Sequence, residues 1–155
     1  MRRSGRRDER GAAAVEFALV VVPLLTLLFG IIDFGWIFNQ QVSLSNAARE
    51  AARYYAVHDG QTFAATDCTG ATTWKACAEV WGKSAAPTIS TPSWAAAGAG
   101  VAVLQGCDST KPGYSTTIGK SVTATAKIPM PSLTGFFTAV LGPNLAGKGK
   151  TSCGG

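Results

Sequence analysis

Residues 11–32 form an apolar run of twenty-two positions in which Glu16 is the only ionisable side chain. A bilayer core takes about 20 apolar helical residues, about 30 Å at 1.5 Å each, so the run is long enough to span. Pro23 lies inside it, and a spanning helix tolerates proline better than a soluble one. An acid in such a segment costs on the order of 2.5–3.5 kcal/mol at mid-helix and less near the end. Glu16 therefore needs a partner.

The ten residues before the run carry Arg2, Arg3, Arg6, Arg7 and Arg10 against Asp8 and Glu9. By the positive-inside rule this head stays in the cytoplasm and the residues after the span lie outside. A cleavable secretory signal has an apolar core of about 7–15 residues followed by a small-x-small site. Here the run is longer and is followed by Asp33-Phe34-Gly35-Trp36-Ile37-Phe38, whose aromatic rings suit the outer interface.

The seven Lys are scattered through the outer part, and five of the seven Arg lie in the head. The net charge of +5 is thus explained by membrane orientation and a solvated face, without nucleic acid as a partner. Outside the head and span, Asp33, Glu50, Asp59, Asp67, Glu79 and Asp108 form no paired arrangement suited to acid–base catalysis. The sequence has no phosphate-binding glycine loop, no Gly-x-Ser-x-Gly elbow and a single histidine, His58. No enzyme, cofactor or metal site is expected.

The helix is expected to continue beyond the membrane. Leu44, Ala48, Ala51 and Tyr55 recur at helical spacing, while Arg49, Glu50 and Arg53 fall off that stripe. The resulting organisation is a basic leader 1–11, a spanning helix 12–38, its extension 39–58 and a small head 59–155. Asp59-Gly60 is a natural stop. A short helix over 72–85 would carry Trp74, Ala78 and Trp81, and the Pro- and Gly-containing piece 86–100 reads as a linker or irregular excursion.

Strands are expected at 101–105 and 120–128, the second with Val122, Ala124, Ala126 and Ile128 on one face. A polar segment, 106–119, separates them. The apolar piece 132–141, with Phe136, Phe137, Val140 and Leu141, is too short to span and reads as a core-covering or interface-dipping loop. A tail strand near 149–153 would complete the sheet. The fold class is α+β, a long helix packed on a small antiparallel sheet.

Cys68, Cys77, Cys107 and Cys153 all lie on the outer side, where an even count reads as two disulfides with three possible connectivities. A zinc site would want close cysteine pairs or several histidines. Strand 120–128 runs away from the turn that holds Cys107, and a returning tail strand brings Cys153 back to that end. The favoured pairing is therefore Cys68–Cys77 and Cys107–Cys153.

A partner for Glu16 exists if the chain is cut between Gly11 and Ala12. The new amine of Ala12 sits unfavourably at the positive end of the helix dipole, and a carboxylate one turn away, on the same or an adjacent chain, neutralises it. Such pairing favours helices set side by side in one register. Glycine before the cut gives a peptidase close access to the backbone.

This leader resembles that of type IV pilins, in particular the tight-adherence (Tad) branch. Gly11-Ala12-Ala13-Ala14-Val15-Glu16-Phe17, then Phe29-Gly30-Ile31-Ile32-Asp33-Phe34-Gly35, then Asn46-Ala47-Ala48-Arg49-Glu50-Ala51-Ala52-Arg53-Tyr54 are similar to the N-terminal signature of TadE-like proteins. The resemblance covers about a third of the chain. It implies an accessory pilin or pseudopilin in the inner membrane, cut by a prepilin peptidase and acting in pilus assembly or adhesion. Its implied partners are other pilins and the inner-membrane assembly platform. Phe17, Gly30, Phe34 and Gly35 would then pack against partner helices. The competing reading is an uncleaved, membrane-anchored binding or adhesion module.

Overall fold

The computed structural model describes residues 5–59, 61–64, 66, 68–107, 121–133, 135 and 141–153. Contacts divide the chain into two units, Met1–Gly35 and Trp36–Gly155. One helix, α1 (Gly5–His58), contributes to both. It begins inside the basic leader rather than at position 12, because Arg and Glu propagate a helix and Gly11 alone costs only about 1 kcal/mol against that.

In the first unit, the large apolar side chains from Val15 to Ile32 are exposed, apart from half-buried Val21. Within this run the Thr26 hydroxyl donates to the Val22 carbonyl (2.9 Å), which satisfies it on its own helix. An 18-residue window of the helix is long and apolar enough to cross a membrane, and none of that window is buried.

The second unit is α+β. Among the described residues, α1 is followed by α2 (Trp74–Ser84), α3 (Thr91–Ala95) and three strands, β1 (Gly100–Gln105), β2 (Ser121–Pro129) and β3 (Asn144–Ser152). The strands form an antiparallel sheet in the order β1-β2-β3. Central β2 alternates as its sequence requires: Val122, Ala124, Ala126 and Ile128 are fully buried, while Lys127 faces solvent. Against them lie Leu44, Ala47, Ala48, Ala51, Ala52 and Tyr55 of α1, together with Val101 and Val103 of β1. Burying a side chain such as Leu44, Val122 or Ile128 contributes about 1.5–3 kcal/mol. In β1 the register shifts between Val103 and Gln105, and Leu104 is turned out at this irregularity.

The tail is more ordered than its composition indicates. The glycine- and lysine-rich piece is β3, paired with β2 from Ser121↔Ser152 to Pro129↔Asn144. Gly147 and Gly149 are buried, and Lys148 and Lys150 are exposed. The reason is close approach to α1. A Cβ on Gly147 would lie 2.5 Å from the Leu44 carbonyl carbon and 2.5 Å from the Ser45 nitrogen, and one on Gly149 would meet the backbone of Ala48 and Arg49. Small residues also let α2 approach: a Cβ on Gly82 would lie 2.8 Å from both the Ala47 carbonyl oxygen and the Ala51 Cβ.

Of the two readings of 86–100, a linker or an irregular excursion, the linker does not hold: Ala86 and Ile89 belong to the core, and α3 lies within the piece. Gln40 Nε2 donates to the Thr88 carbonyl (3.1 Å), and the Ser43 and Thr88 hydroxyls hydrogen-bond. In α2 the buried face is Cys77, Ala78 and Gly82, while Trp81 is 48% exposed. Gly82 makes the close approach to α1, and half-buried Trp74 also packs against the core. The expectations for Gly60, Lys120, the turn at 108–119 and the apolar positions 136–140 lie outside the described residues.

Candidate functional site

Two regions carry chemistry beyond packing. The first is the apolar half of α1. Ala12 and Glu16, four apart in a continuous helix, stand on one face, one turn from each other. Both are exposed, as are Gly11, Phe17, Phe34 and Gly35, with Phe17 at 69%. Gly30 is half-buried, and Cβ atoms built on Gly11, Gly30 and Gly35 would meet nothing within 4 Å. These glycines leave room on the helix surface for another helix to come close, as small residues do in membrane helix pairs. A soluble monomer rarely leaves so long an apolar surface bare, and this helix has the length and composition to cross a membrane.

Sequence reasoning passed over Asp33. It is only 1% exposed, between Ile32 and Phe34, which are both about half exposed. A buried carboxylate must be hydrogen-bonded or paired, and Asp33 is engaged in a polar interaction. The available signal was a lone acid between Gly30 and Gly35, with no other charged side chain between Glu16 and Arg49.

The second region lies where α1 ends and α2 begins. The last turn of α1 closes with the Asp59 N–H donating to the Tyr55 carbonyl (2.8 Å). The Asp59 carboxylate accepts from the Cys107 N–H, which fastens the helix end to the segment after β1. At the start of α2, the Thr73 hydroxyl accepts from the Ala76 N–H (3.2 Å) as N-cap.

Aromatic rings fill the space between. Tyr54 stacks on His58 (4.4 Å between centroids), and His58 stacks on Trp74 (4.4 Å). Tyr54 also stacks on Trp81 at 5.5 Å, and Phe63 meets Trp74 edge to face at 5.1 Å. Trp74 Nε1 donates to the Gln61 carbonyl (3.0 Å). A cavity of about 360 Å³ opens beside this row, lined by Tyr55, Asp59, Gln61, Phe63, Thr72, Thr73, Trp74 and Lys75.

Both disulfides are present. Cys68–Cys77 (Cα–Cα 5.8 Å) closes the loop into α2, and Cys107–Cys153 (5.7 Å) joins the end of β1 to the end of β3. That is the connectivity favoured by the strand directions. The Cys77 sulfur also lies 3.4 Å from the Tyr54 hydroxyl.

A family model described as TadE-like protein matches residues 11–53. No curated protein and no solved structure matches the chain. The matched segment holds Gly11, Ala12, Glu16, Phe17, Gly30, Phe34 and Gly35, and it extends through Leu44, Ala48 and Ala51 into the core of the second unit. Residues 11–53 are a TadE-like segment, consistent with a TadE-like protein of a Tad pilus.

Proposed function

We propose that the chain is an accessory, minor pilin-like subunit of a Tad-type pilus. The head 1–11 stays in the cytoplasm, 12–38 spans the inner membrane, and the remainder stands outside. A prepilin peptidase cuts between Gly11 and Ala12. The Glu16 carboxylate then neutralises the Ala12 amine of its own or a neighbouring chain, which sets helices in axial register within the assembly. Phe17, Gly30, Phe34 and Gly35 face those neighbours, and the assembly platform receives the processed subunit. The role is structural rather than enzymatic, in assembly or adhesion.

The observation that carries this reading is the coincidence of the TadE-like match with a bare apolar helix whose acid lies one turn from Ala12. The alternative is an uncleaved tether for an extracytoplasmic binding module.

Glu16→Leu is the discriminating variant. Removing a carboxylate from an apolar segment leaves insertion normal or better, by up to roughly 2.5 kcal/mol. Under the pilin reading, recovery with sheared pili or with co-purified pilin partners falls sharply while membrane abundance holds. Equal recovery of Glu16→Leu and the native chain would remove the registry role.

A further inference from the structure

We propose that the cavity between the end of α1 and the start of α2 is a binding site for a single pyranose sugar unit. Its walls combine an aromatic platform with polar groups of both kinds. Trp74 and Phe63 supply the rings; Thr72 and Lys75 supply exposed polar side chains at the rim, beside Gln61, whose Nε2 is given to the Val57 carbonyl (3.0 Å). A pyranose ring has the same duality. Its axial C–H bonds carry partial positive charge and sit well against the negative face of an aromatic ring, while its edge presents hydroxyls that both donate and accept.

Trp74 is suited to the platform role and to little else at this site. Its only donor, Nε1–H, is already given to the Gln61 carbonyl, so it offers a ring rather than a hydrogen bond. The ring is fixed before any ligand arrives, by the His58 stack and by the Phe63 contact. The Cys68–Cys77 bridge, at a sequence separation of 9, closes the segment that carries Thr72, Trp74 and Lys75. A platform immobilised in this way loses little entropy on binding.

Size and charge narrow the ligand further. A volume of about 360 Å³ is near the bottom of the roughly 300–1,000 Å³ range of ligand pockets, and fits a sugar unit rather than a peptide. Asp59 and Lys75 bring opposite charges to the lining, which favours a neutral sugar over an anion. The inference stands on the head alone, so it goes beyond the pilin reading and can fail or hold without it.

The test uses the full chain in a zwitterionic detergent that contains no sugar. Saturation-transfer NMR is recorded with glucose, galactose, mannose and N-acetylglucosamine, each up to about 100 mM, and with indole as an apolar probe. Saturable binding of at least one sugar in the millimolar range is expected, typical of a small ligand at an open site. Trp74→Ala should weaken it about tenfold or more. Should that variant fold poorly, the exposed-rim double variant Thr72→Val/Lys75→Met, checked by its unchanged circular dichroism, should weaken binding severalfold. Trp81→Ala, whose ring stacks on Tyr54 and does not line the cavity, should stay within about twofold. Uptake of indole without any sugar, sugar binding indifferent to the rim variant, or an equal loss in Trp81→Ala would each overturn the proposal.

Discussion

Gly147→Ala isolates the contact that holds β3 on α1. A Cβ there would lie 2.5 Å from the Leu44 carbonyl carbon, 2.5 Å from the Ser45 nitrogen and 2.7 Å from the Leu44 oxygen, whereas ordinary contact begins at 3.4 Å. The obstacle is helix backbone, which cannot rotate aside as a side chain would. The strand must therefore retreat by about 0.9 Å, against its nine-residue pairing with β2. Overpacking of this kind costs about 1–3 kcal/mol, and a backbone obstacle belongs at the upper end. Alanine also narrows the unfolded ensemble, which returns about 0.4–1 kcal/mol. The net expectation is a loss of about 2 kcal/mol. For a head of this size that lowers the melting temperature by roughly 8 °C. Near-ultraviolet circular dichroism of the full chain in detergent, disulfides intact, reads the shift. Lys148→Ala, on the exposed face of the same strand, should change stability by no more than about 0.5 kcal/mol. If Gly147→Ala melts within about 2 °C of the native chain, β3 does not lie against α1 as described.

Ala51 is fully buried against α2, so Ala51→Asp should destabilise the head by several kcal/mol, on the order of 3–5, while Arg53→Ala is nearly neutral; chemical denaturation distinguishes them. Tolerance of Asp at position 51 would place the stripe in solvent or lipid. On the chain-entropy model, the 46-residue separation closed by Cys107–Cys153 contributes about 4 kcal/mol and the 9-residue separation of Cys68–Cys77 about 2.6. The double serine variant of the longer bridge should therefore be the less stable of the two by thermal melting, and the reverse order would contradict that account.

What was legible in the sequence was whatever a local period encodes. The Leu44, Ala48, Ala51 and Tyr55 stripe and the alternation of Val122, Ala124, Ala126 and Ile128 name their buried faces without knowledge of a partner. The tail was only partly legible. Gly147 and Gly149 alternate with Lys148 and Lys150, but glycine has no side chain to declare a buried face, and its meaning here is the nearness of the Leu44 and Ala48 backbone. Trp81 was placed on the right helix with Trp74 and Ala78, but spacing alone does not reveal that the buried face is Cys77, Ala78 and Gly82, with the Trp81 ring stacked on Tyr54. The segment around Thr88 has no period at all, and its attachment through Gln40 and Ser43 is a long-range hydrogen-bonding fact. The cavity beside Trp74 likewise arises from residues 55–75 brought together by one helix end, one helix start and a disulfide.

The central claim, that this chain with its TadE-like segment works as a processed pilus subunit, is tested most directly by the mass of its amino terminus. The protein is extracted from membranes of cells that carry the prepilin peptidase and of cells that lack it. The account predicts a chain beginning at Ala12 in the first and at Met1 or Arg2 in the second, with Gly11→Leu behaving like the second in both. A native chain that still begins at Met1 or Arg2 when the peptidase is present would contradict it and leave the uncleaved tether.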